Sequence, residues 1–160
     1  MPATDFGKHD PLIATNFFLE IAGSVVSALS EVSGLDLELE TADVLQRSEK
    51  GHLVQNKTYS KPKMTGELTV KRHAPLDAEA DPMWKWFMKI REKGMSIANR
   101  GGERKDGSVV IYDTTMTEIA RWNFYHAFPT KISQDSLTIG SNEPINETIT
   151  LVHEKRERKK

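Results

Sequence analysis

Five histidines (His9, His52, His73, His126 and His153) are the side chains best suited to proton transfer or metal ligation, and none stands at ligand spacing from another. One triplet invites a geometric test. His73, Asp77 and Asp81 fall at i, i+4 and i+8, which on a continuous helix would stack an imidazole and two carboxylates on one face. Pro75 lies inside that spacing and opposes such a helix, so no metal centre is expected there. Nucleophilic chemistry fares no better. There is no cysteine, which removes thiol nucleophiles, thiolate metal sites and disulfide frameworks together. The chain has no Gly-x-Ser-x-Gly elbow, Walker loop, dinucleotide fingerprint or His-Glu-x-x-His pair. Gly101-Gly102 opens no predicted helix that could hold a phosphate. The sequence reads as that of a protein that is not an enzyme, with no catalytic residues, no cofactor and no metal.

The aromatic residues Trp122, Phe124, Tyr125 and Phe128 could stack on nucleobases, but such a platform interleaves Lys or Arg and only Arg121 is near. Strand alternation puts Trp122, Phe124 and His126 on one face and Asn123 and Tyr125 on the other, a pattern suited to core packing. The 22 Lys+Arg against 23 Asp+Glu leave a net charge of −1, so nucleic-acid binding by bulk charge is not expected. The length of 160 residues suits one domain with an extended arm. No apolar run approaches the ~20 residues of a membrane-spanning helix, and no membrane insertion is expected. Residues 1–10 lack the charged-then-apolar order of a secretory signal, which predicts a cytoplasmic address. The sequons Asn56-Lys-Thr58 and Asn146-Glu-Thr148 then carry no meaning.

The elements that must position these side chains are short strands and one helix. Residues 1–15, with Pro2, Gly7 and Pro11, read as irregular. Phe17, Leu19 and Ile21 then share one strand face, Gly23-Ser24 signals a turn, and Val25–Leu29 returns as the second strand of a hairpin. Leu35, Leu37 and Leu39 alternate with Asp36, Glu38 and Glu40, which predicts a half-buried strand with an acidic outer face. Gly66–Arg72 follows, with Leu68 and Val70 inward.

A helix is predicted over about 81–93, with Asp81 as N-cap, Pro82 in the first turn and Gly94 as the stop. Met83, Trp86, Phe87 and Ile90 form its core stripe. Trp84 and Met88 widen the apolar arc to roughly 200°, against the ~100° of an ordinary surface helix. Either the helix is deeply packed in its own domain, or the flank carrying Trp84 and Met88 meets a neighbouring subunit.

Asn99–Gly107 reads as a loop. Val109–Tyr112, Ile119–Tyr125, Thr130–Ser133, Leu137–Ile139 and Ile145–His153 read as strands, with Asp113–Thr117 as a tight turn and Pro129 marking an edge or bulge. In the last strand Ile145, Glu147, Ile149 and Leu151 share one face. Residues 155–160 form a basic tail expected to be solvated and frayed. About eight strands to one helix predict a mainly-β fold: a β-barrel or two packed antiparallel sheets with one flanking helix, as a single domain over 16–154.

Residues 42–63 break this rhythm. They carry scattered apolar residues around Gly51 and a net charge of +3, five bases against Asp43 and Glu49. So long a segment inside a compact domain normally has a function, and an extended hairpin arm is predicted. Arg47, Lys50, His52, Lys57 and Tyr59 are its candidate contact residues; Asp36, Glu38 and Glu40 form the candidate acidic contact strand. An acidic strand beside a basic arm suits head-to-tail self-association. A small β-barrel module that binds a ligand or protein through the helix flank and the aromatic cluster is the alternative.

The order of these features resembles the inner tube proteins of contractile injection systems, the group that contains the tail tube proteins of contractile phages and of phage-tail-like particles. The blocks that carry the resemblance are Asn16-Phe-Phe-Leu-Glu-Ile-Ala-Gly23, Glu31-Val-Ser-Gly-Leu35, Leu68-Thr-Val-Lys-Arg72 leading to the Trp84/Trp86 helix, and Val110-Ile-Tyr-Asp113. Trp122-Asn-Phe-Tyr-His-Ala-Phe-Pro129 with Lys131 and Asn142-Glu143 leading to Ile149-Thr-Leu-Val-His-Glu154 complete the series. The resemblance implies a barrel of two packed sheets, six-fold rings stacked into a hollow tube, and a hairpin arm at 42–63 engaging an adjacent ring. It also implies a surrounding sheath protein, baseplate, spike and tube-terminating partners, and a lumen that carries effector protein or DNA. A tube-initiator protein at the baseplate is the variant reading within that family.

Overall fold

The computed structural model describes residues 16–63, 66–94 and 103–160, and among them ten strands and one helix. The expected irregular segment 1–15 and the first part of the expected 99–107 loop lie outside the described residues. Strand β1 (Asn16–Ile21) turns through Ala22 and Gly23, both at positive φ (52° and 81°), into β2 (Ser24–Leu29), the backbone that a tight two-residue hairpin requires. On its other edge β1 pairs with β7 (Lys105–Tyr112). The ladder continues through β8 (Glu118–Gln134), β9 (Asn146–Val152) and β6 (Glu67–His73) to β3 (Glu31–Ser33), antiparallel throughout.

Only Ser30 separates β2 from β3. Its N–H and its hydroxyl both donate to the Lys71 carbonyl, at 2.8 and 3.1 Å. This junction carries the last strand of the ladder back to the first, so the eight-stranded sheet wraps into a barrel, as the sequence pattern predicts.

The barrel is filled by Leu19, Ile21, Leu29, Leu68, Val70, Val109, Phe124, Ala127, Ile149 and Leu151, with Met83 and Trp86 contributed by α1 (Pro82–Lys93). Asp81 caps that helix: its backbone is extended and its carboxylate accepts the Trp84 N–H at 3.0 Å. Gly94, at φ 65°, ends it by donating its N–H to the Ile90 carbonyl at 2.8 Å. A buried ion cluster fixes the helix on the sheet. Arg72 donates two bonds to Asp81 (2.9 and 2.7 Å) and one to Glu147 (2.8 Å), and Glu147 also accepts the Trp84 indole N–H at 3.2 Å. Charges removed from water cost several kcal/mol each unless paired and hydrogen-bonded, and every member here is paired. Among the described residues no helix is long and apolar enough to cross a membrane.

Several expectations are corrected. β8 is one strand of 17 residues, not two, because it serves two ladders: β7 along its first half and β9 along its second. A bulge at His126 makes this possible. His126 takes φ 53°, Asp106 accepts its N–H at 3.0 Å, and the inward position passes to Ala127. His126 therefore does not share the face of Trp122 and Phe124. A second irregularity falls at Pro129/Lys131 against β9, where a missing N–H is tolerated.

β7 starts at Lys105, four residues before the predicted strand. Residues 137–139 form no strand, and Leu137, Ile139 and Ile145 are exposed. The basic tail is not frayed: β10 (Lys155–Arg158) pairs with the first half of β8 and buries Arg156. Its cations lie over aromatic rings, Lys155 over Tyr125 at 5.6 Å and Arg158 over Trp122 at 5.2 Å.

Candidate assembly interface

The acidic strand and the basic arm turn out to be two strands of one hairpin. Among the described residues, β4 (Glu38–Arg47) pairs with β5 (Leu53–Lys63) and with no strand of the barrel. The arm therefore begins at Glu38, not at residue 42. Leu37 and Leu39 are 66% and 69% exposed, so the predicted half-buried strand does not form; of its three leucines only Leu35 packs against the core. In the hairpin register Glu38 lies opposite Lys63, Glu40 opposite Lys61 and Asp43 opposite Lys57. Lys61 reaches Glu40 at 3.5 Å. Over 38–63 the net charge is +1 rather than +3, because the hairpin also includes Glu38 and Glu40. Exposed cross-strand pairs of this kind set register more than stability, at about 0.2–1 kcal/mol each.

The hairpin root is built by the barrel. Gly34 sits at φ 86°, and a Cβ there would lie 2.5 Å from the Glu67 carbonyl oxygen, so only glycine lets the chain leave β3 past β6. Arg156 of β10 donates to the Asp36 carbonyl, tying the root to the last strand. At the far end a turn over Ser48–His52 closes the hairpin: Ser48 N–H donates to the His52 carbonyl and Gly51 N–H to the Ser48 carbonyl, both at 2.8 Å.

Beyond the root, pairing sorts the side chains into two faces. Thr41, Asp43, Leu45 and Arg47 lie opposite Tyr59, Lys57, Gln55 and Leu53 on one; Ala42, Val44 and Gln46 lie opposite Thr58, Asn56 and Val54 on the other. The second face carries no charge. Leu39, Val44, Leu45, Leu53, Val54 and Tyr59 are all exposed. An isolated two-stranded hairpin is marginal in water, and both of its edges offer unpaired backbone groups. Such an element is suited to completion by another chain.

The candidate arm residues Arg47, Lys50, His52, Lys57 and Tyr59 all fall on this hairpin, Lys50 in its tip turn and Tyr59 near its root. Asp36 lies at the root, and Glu38 and Glu40 open β4. Trp84 and Met88 are half-buried on α1. The Trp84 indole N–H donates to Glu147 at 3.2 Å. His73, Asp77 and Asp81 are not gathered: His73 Nδ1 lies 2.8 Å from Asn146 Oδ1, and Asp81 serves Arg72 and the helix cap. Among the described residues no group of three His, Asp or Glu side chains could hold a metal ion.

Sequence reasoning missed the opposite pole of the β6–β9 ladder. There Leu76, Leu137, Ile139 and Ile145 are exposed on the segments that leave β6 and join β8 to β9. Reading residues 137–139 as a strand hid them, although Gly140 and Pro144 mark the stretch as a connection.

The family model for the T4-like virus tail tube protein gp19 matches residues 13–157. Among solved structures, the chain is similar to one in the extended-state sheath/tube terminator of an extracellular contractile injection system, PVC (TM-score 0.72, 20% identity, 95% of this chain and 99% of that one). A chain of the PVC sheath-tube complex gives TM-score 0.70 at 19% identity, over 99% of this chain and 98% of that one. One in the anti-feeding prophage baseplate gives 0.72 at 16% identity, over 94% and 97%. At such identities the likeness is one of fold. No curated protein sequence matches.

Proposed function

The chain belongs to the T4-like virus tail tube protein family, and on that premise we propose that it is a structural protomer of the inner tube of a contractile injection system. Six copies close side by side into a ring, and rings stack head to tail into a hollow tube. A sheath protein surrounds the tube and drives it by contraction, baseplate and spike proteins start it, and a terminating protein ends it. Its lumen carries cargo, either effector protein or DNA.

The observation that carries this reading is the β4–β5 hairpin, a long arm outside the core with apolar residues exposed along it. Contacts between unlike surfaces close into rings when their rotation closes, and run on as filaments when it does not. A tube needs both, and an arm that completes a neighbour's structure supplies the second. A net charge of −1 also limits repulsion among stacked copies.

A second reading is supported by the range of similar structures. These include a tube terminator and a baseplate at the same TM-score of 0.72, so a protomer that starts or ends the tube has the same fold. Electron microscopy of the purified protein, with sizing at several concentrations, tests both. Rings that extend into tubes are the expected result, and single rings that never stack point to the initiator or terminator. A strictly monomeric species, even with sheath and baseplate partners, would count against both.

A further inference from the structure

Both legs of the hairpin are tied to the short stretch that joins β9 to β10. The outgoing leg leaves β3 at Gly34 and is held at Asp36, whose carbonyl accepts a bond from Arg156. The returning leg reaches β6 at Gly66, whose carbonyl accepts the His153 N–H at 2.9 Å. Gly66 packs so closely there that a Cβ would lie 3.1 Å from the His153 carbonyl oxygen. Residues 153–156 therefore fix where the arm leaves the barrel.

The side chains of His153 and Arg156 lie beneath this root. Arg156 stands opposite Phe124 in the β8–β10 register, so the two share the inner face, and the His153 ring lies 6.3 Å from the Phe124 ring. His153 and Arg156 are each 8% exposed. Among the described residues neither ring nitrogen of His153 has a hydrogen-bond partner. An imidazole in such a place is tolerated while neutral; as a cation it finds no acceptor and faces a guanidinium. The other charged groups around the root are Asp36 and Glu38 on the outgoing leg, Glu67 at the start of β6, and Glu154 paired with Arg104. The charge that acts on the ring is that of Arg156. Outside, Asp36, Glu38 and Glu67 line an open concavity of about 360 Å³ together with Gly34 and Gly66. A guanidinium leaving the buried site meets carboxylates and solvent there.

We propose that His153 and Arg156 form an acid-sensitive latch on the arm: with His153 neutral, Arg156 holds Asp36 and fixes the root, and protonation of His153 drives Arg156 out among the carboxylates and frees the arm to swing about Gly34 and Gly66. Burial, and then the charge of Arg156, depress the imidazole pKa in the closed form. Departure of Arg156 removes that charge and opens the ring to water, so the open form binds the proton more readily. Acid therefore favours opening, by up to about ten-fold per pH unit below about pH 6.5. The latch belongs to the single protomer and operates whether or not rings stack.

The cysteine-free chain permits a direct test. Leu37→Cys, an exposed position beside Asp36, carries a nitroxide spin label, with Val25→Cys on β2 as the barrel control. Between about pH 7.5 and 5.5 the mobile component of the Leu37 spectrum should grow by up to about ten-fold per pH unit, while the Val25 label stays unchanged. The Leu37 label should be mobile throughout in Arg156→Met and immobile throughout in His153→Phe. In the unsubstituted protein the carbon-13 shift of the His153 ring should change over the same interval in which the label is released. A label that stays immobile down to about pH 5.5, or is released equally in His153→Phe, overturns the latch. So does a ring shift that changes at a different pH from the label; should His153→Phe fail to fold, that comparison decides alone. None of these results bears on the tube reading, which electron microscopy tests separately.

Discussion

His153 sits at the junction of β9 and β10, 8% exposed, with neither ring nitrogen hydrogen-bonded and its ring tilted against Phe124 at 6.3 Å. Burial, and then the charge of Arg156, hold its pKa below the usual 6.5 of histidine. The folded protein therefore keeps the imidazole neutral where the unfolded chain would protonate it. Below about pH 6.5 the unfolded state binds the extra proton, so stability falls as pH drops from there towards the folded-state pKa. The slope from this one group is at most about 1.4 kcal/mol per pH unit. His153→Phe should flatten the pH dependence of the unfolding free energy between pH 7 and 5.5, measured by urea denaturation; an unaltered slope would assign the effect to another group. Arg72 is the opposite case. Burial alone would lower its pKa, but the hydrogen bonds and charges of Asp81 and Glu147 outweigh burial and raise it, so the guanidinium stays charged. Asp81 was legible in the sequence as a helix cap. Its bond to Arg72, and the bond of Arg72 to Glu147, were not, because local pattern carries no information about a partner 75 residues away.

Strand β7 shows how an element is fixed by the residue it cannot replace. Gly107 pairs with Phe124 across to β8, and a Cβ there would lie 2.4 Å from the Phe124 ring and 2.7 Å from the Glu20 carbonyl oxygen. The ring is nearly fully buried in the core and the carbonyl belongs to a paired strand, so neither has room to withdraw. Gly107→Ala should destabilise the protein by about 1–3 kcal/mol, the usual cost of overpacking, seen as a lower urea midpoint at constant slope. A midpoint equal to the parent's would show that β1 and β8 part freely at this point.

The same strand shows why parts of the pattern misled. Lys105-Asp106-Gly107 has loop composition, yet it continues β7 because the strands on both sides supply backbone partners. Lys155–Arg158 has no apolar alternation, yet it forms β10, where cations cover the rings of Tyr125 and Trp122. Leu37 and Leu39 alternate as a buried strand would, but the element they open has no core beneath it within one chain. Where the signal lay in local chemistry, as at Asp81, Pro82 and Gly94 or at the turn before Ser24, sequence and structure agree closely.

At the scale of the whole molecule, the separation of core from arm predicts that the barrel folds without the arm. Among the described residues, none of β4 or β5 belongs to the core cluster, and the barrel ladder closes without them. Deleting residues 46–60 would leave Glu38–Glu40 facing Lys61–Lys63 in their native register, joined by residues 41–45, a loop length that antiparallel strands accept. Gly34 and the Arg156 bond to Asp36 would still hold the root. The deleted protein should unfold with a free energy within about 1 kcal/mol of the parent, as expected of changes remote from the core. Its lateral surfaces would be intact, so rings should still form. Stacking should fail, because the arm would no longer reach the next protomer. Electron microscopy and sedimentation of both forms at equal concentration decide the matter. Tubes of normal length from the deleted protein would show that stacking is carried by the barrel faces, and would remove the hairpin from the assembly mechanism.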